Sequence, residues 1–365
     1  MSTWFRHQVQ KARMSRLMLE VWIQRRFTRL ARKIDPKDLK GWMPAFITKE
    51  RCPMSWPQRA QLQVLNTHIQ DANLVWLNLN GLRLTAPWLF GEYQRAKQAA
   101  VTNVDFLTQI QRTSNSIAPT GFIFHVGKCG STLLKNMLAR IPENLALGEP
   151  EVVNQILYAR DVSLRATWLQ GAVNAMGQAY TGLEKHYFIK FASICVPRMG
   201  LIRQIFPDVP AVFLYRDPVE VIHSVLDGNV WWMFLKNSHP ELAEEVTGIE
   251  SSLVRQLSPE EYAARVIGRF FNNALKEADK SLLVVNYNRL SEKARLRDIV
   301  SFFSVRMSDL QIDCMLNALK VYSKDPTGRK QYGARETTED EPSPEVWKMA
   351  EKWAIGPYEA LEALT

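Results

Sequence analysis

Gly121-Phe-Ile-Phe-His-Val-Gly-Lys-Cys-Gly-Ser-Thr-Leu-Leu134 is an apolar strand that runs into a loop of glycine, lysine and hydroxyl residues and then into the start of a helix. That order of residue types builds an anion cradle. Gly127 and Gly130 let the backbone turn tightly, so that successive N–H groups point at one phosphate or sulfate. Ser131 and Thr132 add hydroxyl donors at a helix N-terminus, whose dipole favours negative charge. Cys129 is the small residue between them, and Lys128 brings a mobile positive charge.

The spacing excludes a nucleotide triphosphatase loop. That motif needs Gly, four residues, then Gly-Lys-Ser/Thr, whereas the first position here falls on Phe122 and Lys128 is followed by Cys129 rather than a magnesium-binding hydroxyl. A second segment, Ala211-Val-Phe-Leu-Tyr-Arg-Asp-Pro-Val-Glu-Val-Ile-His-Ser224, reads as a buried strand, an Arg-Asp-Pro turn and an amphipathic helix with Pro218 at its first position. Arg216 leaves the carboxyl end of a strand and Ser224 lies two turns into the following helix. Both can converge on one group beyond the sheet edge, where open α/β sheets bind their ligands. The plain alternative is that Arg216 and Asp217 merely pair with each other.

Lys128-Cys-Gly-Ser-Thr132 resembles the 5′-phosphosulfate loop of the sulfotransferases that use 3′-phosphoadenosine 5′-phosphosulfate, and Arg216 with Ser224 resembles the site of these enzymes for the 3′-phosphate of that donor. The likeness extends to Tyr187-Phe-Ile-Lys-Phe191, read as a strand, to Leu201–Pro210, read as a helix and turn, and to Leu282-Leu-Val-Val-Asn-Tyr287, read as a late strand with a tyrosine exit. It covers roughly residues 115 to 365, about two thirds of the chain, and is greatest to bacterial members. The resemblance implies an α/β fold, with a P-loop-type parallel β-sheet flanked by helices. It implies an enzyme that transfers a sulfuryl group to a hydroxyl or amine, with the donor as co-substrate and no metal.

On this resemblance Gly127, Lys128, Cys129, Gly130, Ser131, Thr132, Arg216 and Ser224 bind the donor, and Arg329 and Lys330, in a basic tail, add to them. Lys128 serves the leaving charge. The histidine that many small-molecule sulfotransferases carry at a Lys-Thr-His strand end is missing, because the matching stretch is Lys190-Phe191-Ala192. Leu147-Gly-Glu-Pro-Glu151 resembles instead the segment whose glutamate is the base in carbohydrate- and protein-modifying relatives, which makes Glu149 the candidate general base with Glu151 behind it. A surface Glu-Pro turn is the alternative. His125 fits either the site wall or a hydrogen-bonded core position, Lys190 is placed to orient an acceptor, and His223 reads as helix surface. Asp227 to Glu260, with Trp231-Trp-Met-Phe234, occupies the place of an acceptor lid; its aromatics suit a sugar, a phenol or a lipid equally, so the acceptor is a small molecule, lipid or carbohydrate.

The chain has 365 residues and 46% hydrophobic content, enough for a large core, and its strands alternate with helical patterns from Gly121 onward. The expected division is a basic amphipathic helix over 1–33, an extension of helix and hairpin over 34–115, and the sulfotransferase-like domain over 116–365. The hairpin is expected in Leu74–Leu84, about an Asn80-Gly81 turn. The net charge of +9 sits almost wholly in residues 1–33, with nine Lys/Arg against Glu20, so nucleic acid is not an expected partner. That helix either lies on an anionic membrane surface or docks on its own domain with solvated arginines. No signal peptide or transmembrane span is read, which points to the cytoplasm or the inner face of its membrane.

The tryptophans at 4, 22, 42, 56, 76 and 88 are read as core in preference to sugar-stacking platforms. Cys52, Cys129, Cys195 and Cys314 show no metal or redox-pair spacing. Cys129 is either the small residue of a tight loop or, beside Lys128 at a helix start, an acidic and oxidisable thiol. A P-loop small-molecule kinase and a non-catalytic nucleotide-binding scaffold are the competing functions.

Overall fold

A computed structural model describes residues 34–49, 64–110, 116–228, 230–325 and 341–365. The basic segment 1–33, Cys52, Arg329 and Lys330 lie outside the described residues. The strands in chain order are β1 (Trp42–Thr48), β2 (Asn73–Asn78), β3 (Gln98–Asn103), β4 (Pro119–His125), β5 (Asn144–Gly148), β6 (His186–Lys190), β7 (Ala211–Tyr215) and β8 (Leu282–Asn286). The longer helices are α1 (Ser131–Ala139), α2 (Glu151–Leu157), α3 (Val162–Met176), α4 (Met199–Ile205), α5 (Pro218–Asp227), α6 (Pro240–Thr247), α7 (Pro259–Lys276), α8 (Lys293–Phe302), α9 (Asp309–Leu316), α10 (Pro344–Ala350) and α11 (Gly356–Glu362). Among the described residues no helix is long and apolar enough to cross a membrane.

Two compact units divide the chain. One holds Met1–Ala118 together with Glu149–Lys185, the other Pro119–Gly148 together with His186–Thr365. The expected boundary between the extension over 34–115 and the domain over 116–365 is departed from in the structure, which returns α2 and α3 to the first unit. Side chains on these helices complete the N-terminal sheet. Gln155 of α2 accepts from the Ile47 N–H at 2.6 Å and donates to the Ile47 carbonyl at 2.8 Å, closing both backbone groups of one residue of β1. At Gly171 of α3 a Cβ would lie 2.1 Å from the Leu107 carbonyl oxygen, so only glycine permits that approach of backbones. Trp168 donates to Asp105 at 3.1 Å while its ring is fully buried.

The sheet of the first unit is antiparallel, in the order β1-β2-β3. Asn80-Gly81 does turn the chain, with Gly81 at φ +77°, but the residues after it do not pair back on β2. The Gly81 N–H bonds instead to the Tyr180 carbonyl at 2.7 Å, and both edges of β2 are already taken by β1 and β3. The expected hairpin is therefore corrected to the central strand of a three-stranded sheet. Of the tryptophans read as core, Trp76 on β2 is fully buried, Trp42 and Trp88 are half-buried, and Trp4, Trp22 and Trp56 lie outside the described residues.

In the second unit five strands run parallel in the order β5-β6-β4-β7-β8. Phe122, Ile123 and Phe124 of β4 have no exposed surface, the pattern of a strand covered on both faces. Phe122 meets Phe191 and Phe206 edge-on at 5.1 and 5.5 Å, and Phe124 stacks on Phe191 at 4.9 Å. From β4 the chain runs outward to β5 and returns to β6 on one side, then crosses to β7 and β8 on the other. The carboxyl ends of β4 and β7 thus flank the point at which the winding reverses, which in such sheets is the crevice for a ligand.

Candidate functional site

The loop after β4 holds the chain in a conformation that L-residues avoid. Gly127, Lys128 and Gly130 have φ of +89°, +51° and +75°. For a lysine this costs roughly 1 to 2 kcal/mol, strain of the kind that gathers at ligand sites. His125, the last residue of β4, is buried, and its Nδ1 accepts from the Gly127 N–H at 2.9 Å. Its neutral ring then carries the proton on Nε2. His125 is a hydrogen-bonded core residue that fixes the start of the loop. Gly130 is the N-cap of α1 and no side chain caps that helix, so its positive end faces whatever the loop encloses. Ser131 and Thr132 are buried at the same end, and Lys190 at the end of β6 donates to Thr132 Oγ1 at 3.4 Å.

Cys129 points the other way. Its Sγ donates to the Leu214 carbonyl of β7 at 3.4 Å, its side chain has no exposed surface, and burial pushes the thiol up to about 11. The acidic-thiol alternative is corrected accordingly: desolvation outweighs the backbone hydrogen bonds of the loop and the charge of Lys190. Cys129 is the small residue that packs the loop onto β7.

The second motif begins one residue beyond β7. Asp217 is the N-cap of α5 and accepts from the Val219 and Glu220 N–H groups at 2.8 and 3.2 Å, while Pro218 fills the first turn. Val219, Val221, Ile222 and Val225 supply the buried face of the helix. Arg216 forms an ion pair with Glu220 one turn on, so the alternative in which it merely pairs with Asp217 does not hold. Its Nε is buried with no hydrogen-bond partner. A guanidinium held in place with one donor unused is suited to an incoming anion.

A tyrosine joins the two motifs. Tyr287 follows β8, and a Cβ on Gly130 would lie 2.4 Å from its ring carbon Cδ2, while the Arg216 guanidinium sits over the same ring at 4.9 Å from its centre. Lys128 reaches the far end of α5, since a Cβ on Gly228 would lie 2.3 Å from Lys128 Nζ and 3.0 Å from the Ser224 carbonyl oxygen. Lys128, Gly130, Arg216 and Ser224 therefore share one locality. Lys324 lies within hydrogen-bonding reach of Lys128. The Ser323 carbonyl beside Lys324 accepts from Asn136 of α1 at 2.7 Å, which ties that segment to the loop helix. Burial holds the Lys128 ammonium below its usual range, and the Asp227 carboxylate acts against that shift.

Sequence reasoning had the tyrosine as a strand exit but not its contact with the loop, and it missed Lys324 and Gly228. An Arg/Lys-rich tail and a Gly after an acidic helix end were the only available signals. Of the remaining candidates, Arg329 and Lys330 lie outside the described residues, five and six positions beyond Lys324 in the sequence. Glu149 is half-buried and left-handed, at φ +51°, and directly follows Gly148, which is in register with Lys190. Glu151 is fully buried against Tyr93, and desolvation raises its carboxyl to about 8. Trp232, expected in a lid, has no exposed surface and packs on Tyr262 and Phe270 of α7, whereas Phe234 is 55% exposed. Among the described residues no three His, Cys, Asp or Glu side chains gather as a metal site.

No family model matches the chain, and neither does any curated protein. The solved structures to which it is similar are sulfotransferases. One is the sulfotransferase domain of the Synechococcus olefin synthase, 17% identical, covering 67% of this chain and 98% of that one at a TM-score of 0.35. Another, from Alicyclobacillus acidocaldarius, is 15% identical, with 68% and 96% covered and a TM-score of 0.36. A mouse sulfotransferase complexed with PAP is 12% identical, with 72% and 86% covered and a TM-score of 0.31.

Proposed function

We propose that this chain is a sulfotransferase that moves a sulfuryl group from 3′-phosphoadenosine 5′-phosphosulfate to a hydroxyl or amine of a carbohydrate, lipid or small metabolite. The observation that carries the reading is the Tyr287 ring, which meets Gly130 of the loop and Arg216 of the second motif. Two anion-binding elements, far apart in the chain, therefore serve one ligand with two separated anionic groups.

Arg216 and the Ser224 hydroxyl hold the 3′-phosphate, which separates this donor from AMP and ATP. The loop amides, with Ser131 and Thr132, hold the 5′ end. Each charge-assisted hydrogen bond of this kind contributes roughly 1.5 to 3 kcal/mol. In the transfer the S–O bond to the 5′-phosphate breaks as a new S–O or S–N bond forms to the acceptor oxygen or nitrogen. The electron pair of the broken bond stays on the phosphate oxygen, where Lys128 offsets the charge. Glu149 takes the proton that the acceptor loses. Catalysis is positioning and charge compensation, much as in phosphoryl transfer.

Calorimetric titration with adenosine 3′,5′-bisphosphate, beside 5′-AMP and ATP with magnesium, tests the donor site. Micromolar affinity that needs the 3′-phosphate and collapses in Arg216→Ala is expected. Preference for ATP would favour the small-molecule kinase. Donor binding without transfer to a broad acceptor panel would favour the non-catalytic scaffold.

A further inference from the structure

Gly228 ends α5 with φ −108° and ψ 148°, a backbone conformation that any residue adopts. Its lack of a side chain therefore answers to its surroundings. A Cβ there would lie 2.3 Å from Lys128 Nζ and 3.0 Å from Lys128 Cε, so the glycine is the slot that admits this ammonium. The Ser224 carbonyl oxygen, 3.0 Å from the same point, belongs to the last turn of α5, whose exposed carbonyls form the negative pole of the helix. Asp227, half exposed, stands next to the slot and places its Oδ2 3.8 Å from Nε2 of His223.

We propose that Asp227 and Gly228 are positioning residues for Lys128, the glycine admitting its ammonium to the last turn of α5 and the carboxylate serving as its counter-charge. The importance of this for turnover rests on the sulfotransferase reading, in which Lys128 meets the leaving oxygen. The coupling itself does not. A lysine that loses its proton cannot compensate a developing anion, and burial already favours the neutral form. Among the described residues the charged groups that face Lys128 are Asp227, which opposes the effect of burial, and Lys324 from the segment after α9, with His223 behind Asp227. One helix then serves both ends of the ligand, since it starts beside Arg216 and ends on Lys128.

The test is trace acetylation of the intact protein with acetic anhydride across a pH series, with the Lys128 peptide quantified by mass spectrometry in wild type, Asp227→Asn and Asp227→Glu. Because Asp227 is half exposed, its replacement leaves the core untouched. Loss of the counter-charge lowers the pH at which Lys128 becomes reactive by about one unit, roughly a tenfold gain in labelling near neutrality, and Asp227→Glu restores most of the difference. In turnover, the alkaline limb of the pH profile moves the same way. A Lys128 labelling curve that is unchanged in Asp227→Asn overturns the proposal, whatever the donor. Failure of the wild type to bind adenosine 3′,5′-bisphosphate, with the labelling curve still shifted, overturns the sulfotransferase reading and leaves the lysine seat standing.

Discussion

Two regions, one in each unit, bury polar groups in opposite ways. In the first, the groups satisfy one another: both amide atoms of Gln155 are spent on Ile47, and the Tyr93 hydroxyl lies 2.7 Å from Glu151 Oε2 and 3.0 Å from the Ala45 carbonyl. A single hydroxyl proton cannot serve both acceptors. The arrangement closes when Glu151 is protonated, donating to Tyr93 Oη while Tyr93 donates to Ala45. In the second unit the site is held open. Arg216 Nε is buried without a partner, α1 begins without a side-chain cap, and three residues of one loop sit at positive φ. Around Glu151 the buried polar groups close on one another, and at Arg216 a bond is left to be made.

The largest effect is expected where the closed arrangement is opened by pH. Burial raises the Glu151 carboxyl from 4.5 to about 8, with the Glu149 charge adding to the rise and the Tyr93 hydrogen bond opposing it. The folded state holds this proton after the unfolded chain has lost it, so the stabilisation is complete below about pH 4.5 and drains away as pH rises to about 8. Each unit of separation is about 1.4 kcal/mol, which makes the whole effect several kcal/mol. In urea unfolding of the full chain, Glu151→Gln keeps the hydrogen bonds and removes the titration. It should match wild type near pH 5 and be the more stable above pH 8. Parallel pH dependences in the two proteins would show that Glu151 is charged in the fold, and the contrast between the units would fail on its first side.

On the open side, Lys128→Ala should lower turnover by roughly a hundredfold, about 2.7 kcal/mol, while the protein stays folded, because the lysine's contacts lie in the site. Glu149→Gln should cost a similar factor with adenosine 3′,5′-bisphosphate affinity unchanged, since a base acts on the acceptor and not on the donor. Full turnover in either variant removes that residue from its role. Comparison of turnover with donor affinity in each separates the lysine, which can change both, from the glutamate.

Much of the second unit was legible because parallel strands covered on both faces are continuous apolar runs. Phe122–Phe124, Tyr187–Ile189, Val212–Leu214 and Leu283–Val285 all read as strands and all are strands. The loop and the Arg-Asp-Pro turn were legible because glycine, proline and the capping aspartate carry their geometry locally. What escaped was decided by partners distant in the chain. The pairing of β2 with β1 and β3, and the return of α2 and α3 to the first unit, depend on contacts such as Gln155 with Ile47, more than a hundred residues apart. Gly228 lies at the start of the stretch read as a lid and had no reading of its own; its contact with Lys128 shows only in the structure. Glu151 looked like a spare for Glu149 until Tyr93 proved to be its partner.

The smallest of these effects tests whether the open site is one unit or two. Gly130→Ala forces a side chain onto a residue at φ +75°, which costs about 1 kcal/mol, and drives its Cβ into the Tyr287 ring, 2.4 Å away. Tyr287 must yield, and because Arg216 stacks on the same ring the displacement passes to the arginine. A loss of about tenfold in affinity for adenosine 3′,5′-bisphosphate is expected, close to 1.4 kcal/mol. Tyr287→Ala separates the two causes. In that background the steric part vanishes and only the backbone strain persists, so the penalty of Gly130→Ala should shrink by half or more. An equal penalty in both backgrounds would mean that the ring transmits nothing, and that the loop and Arg216 bind their anionic groups independently across the carboxyl ends of β4 and β7.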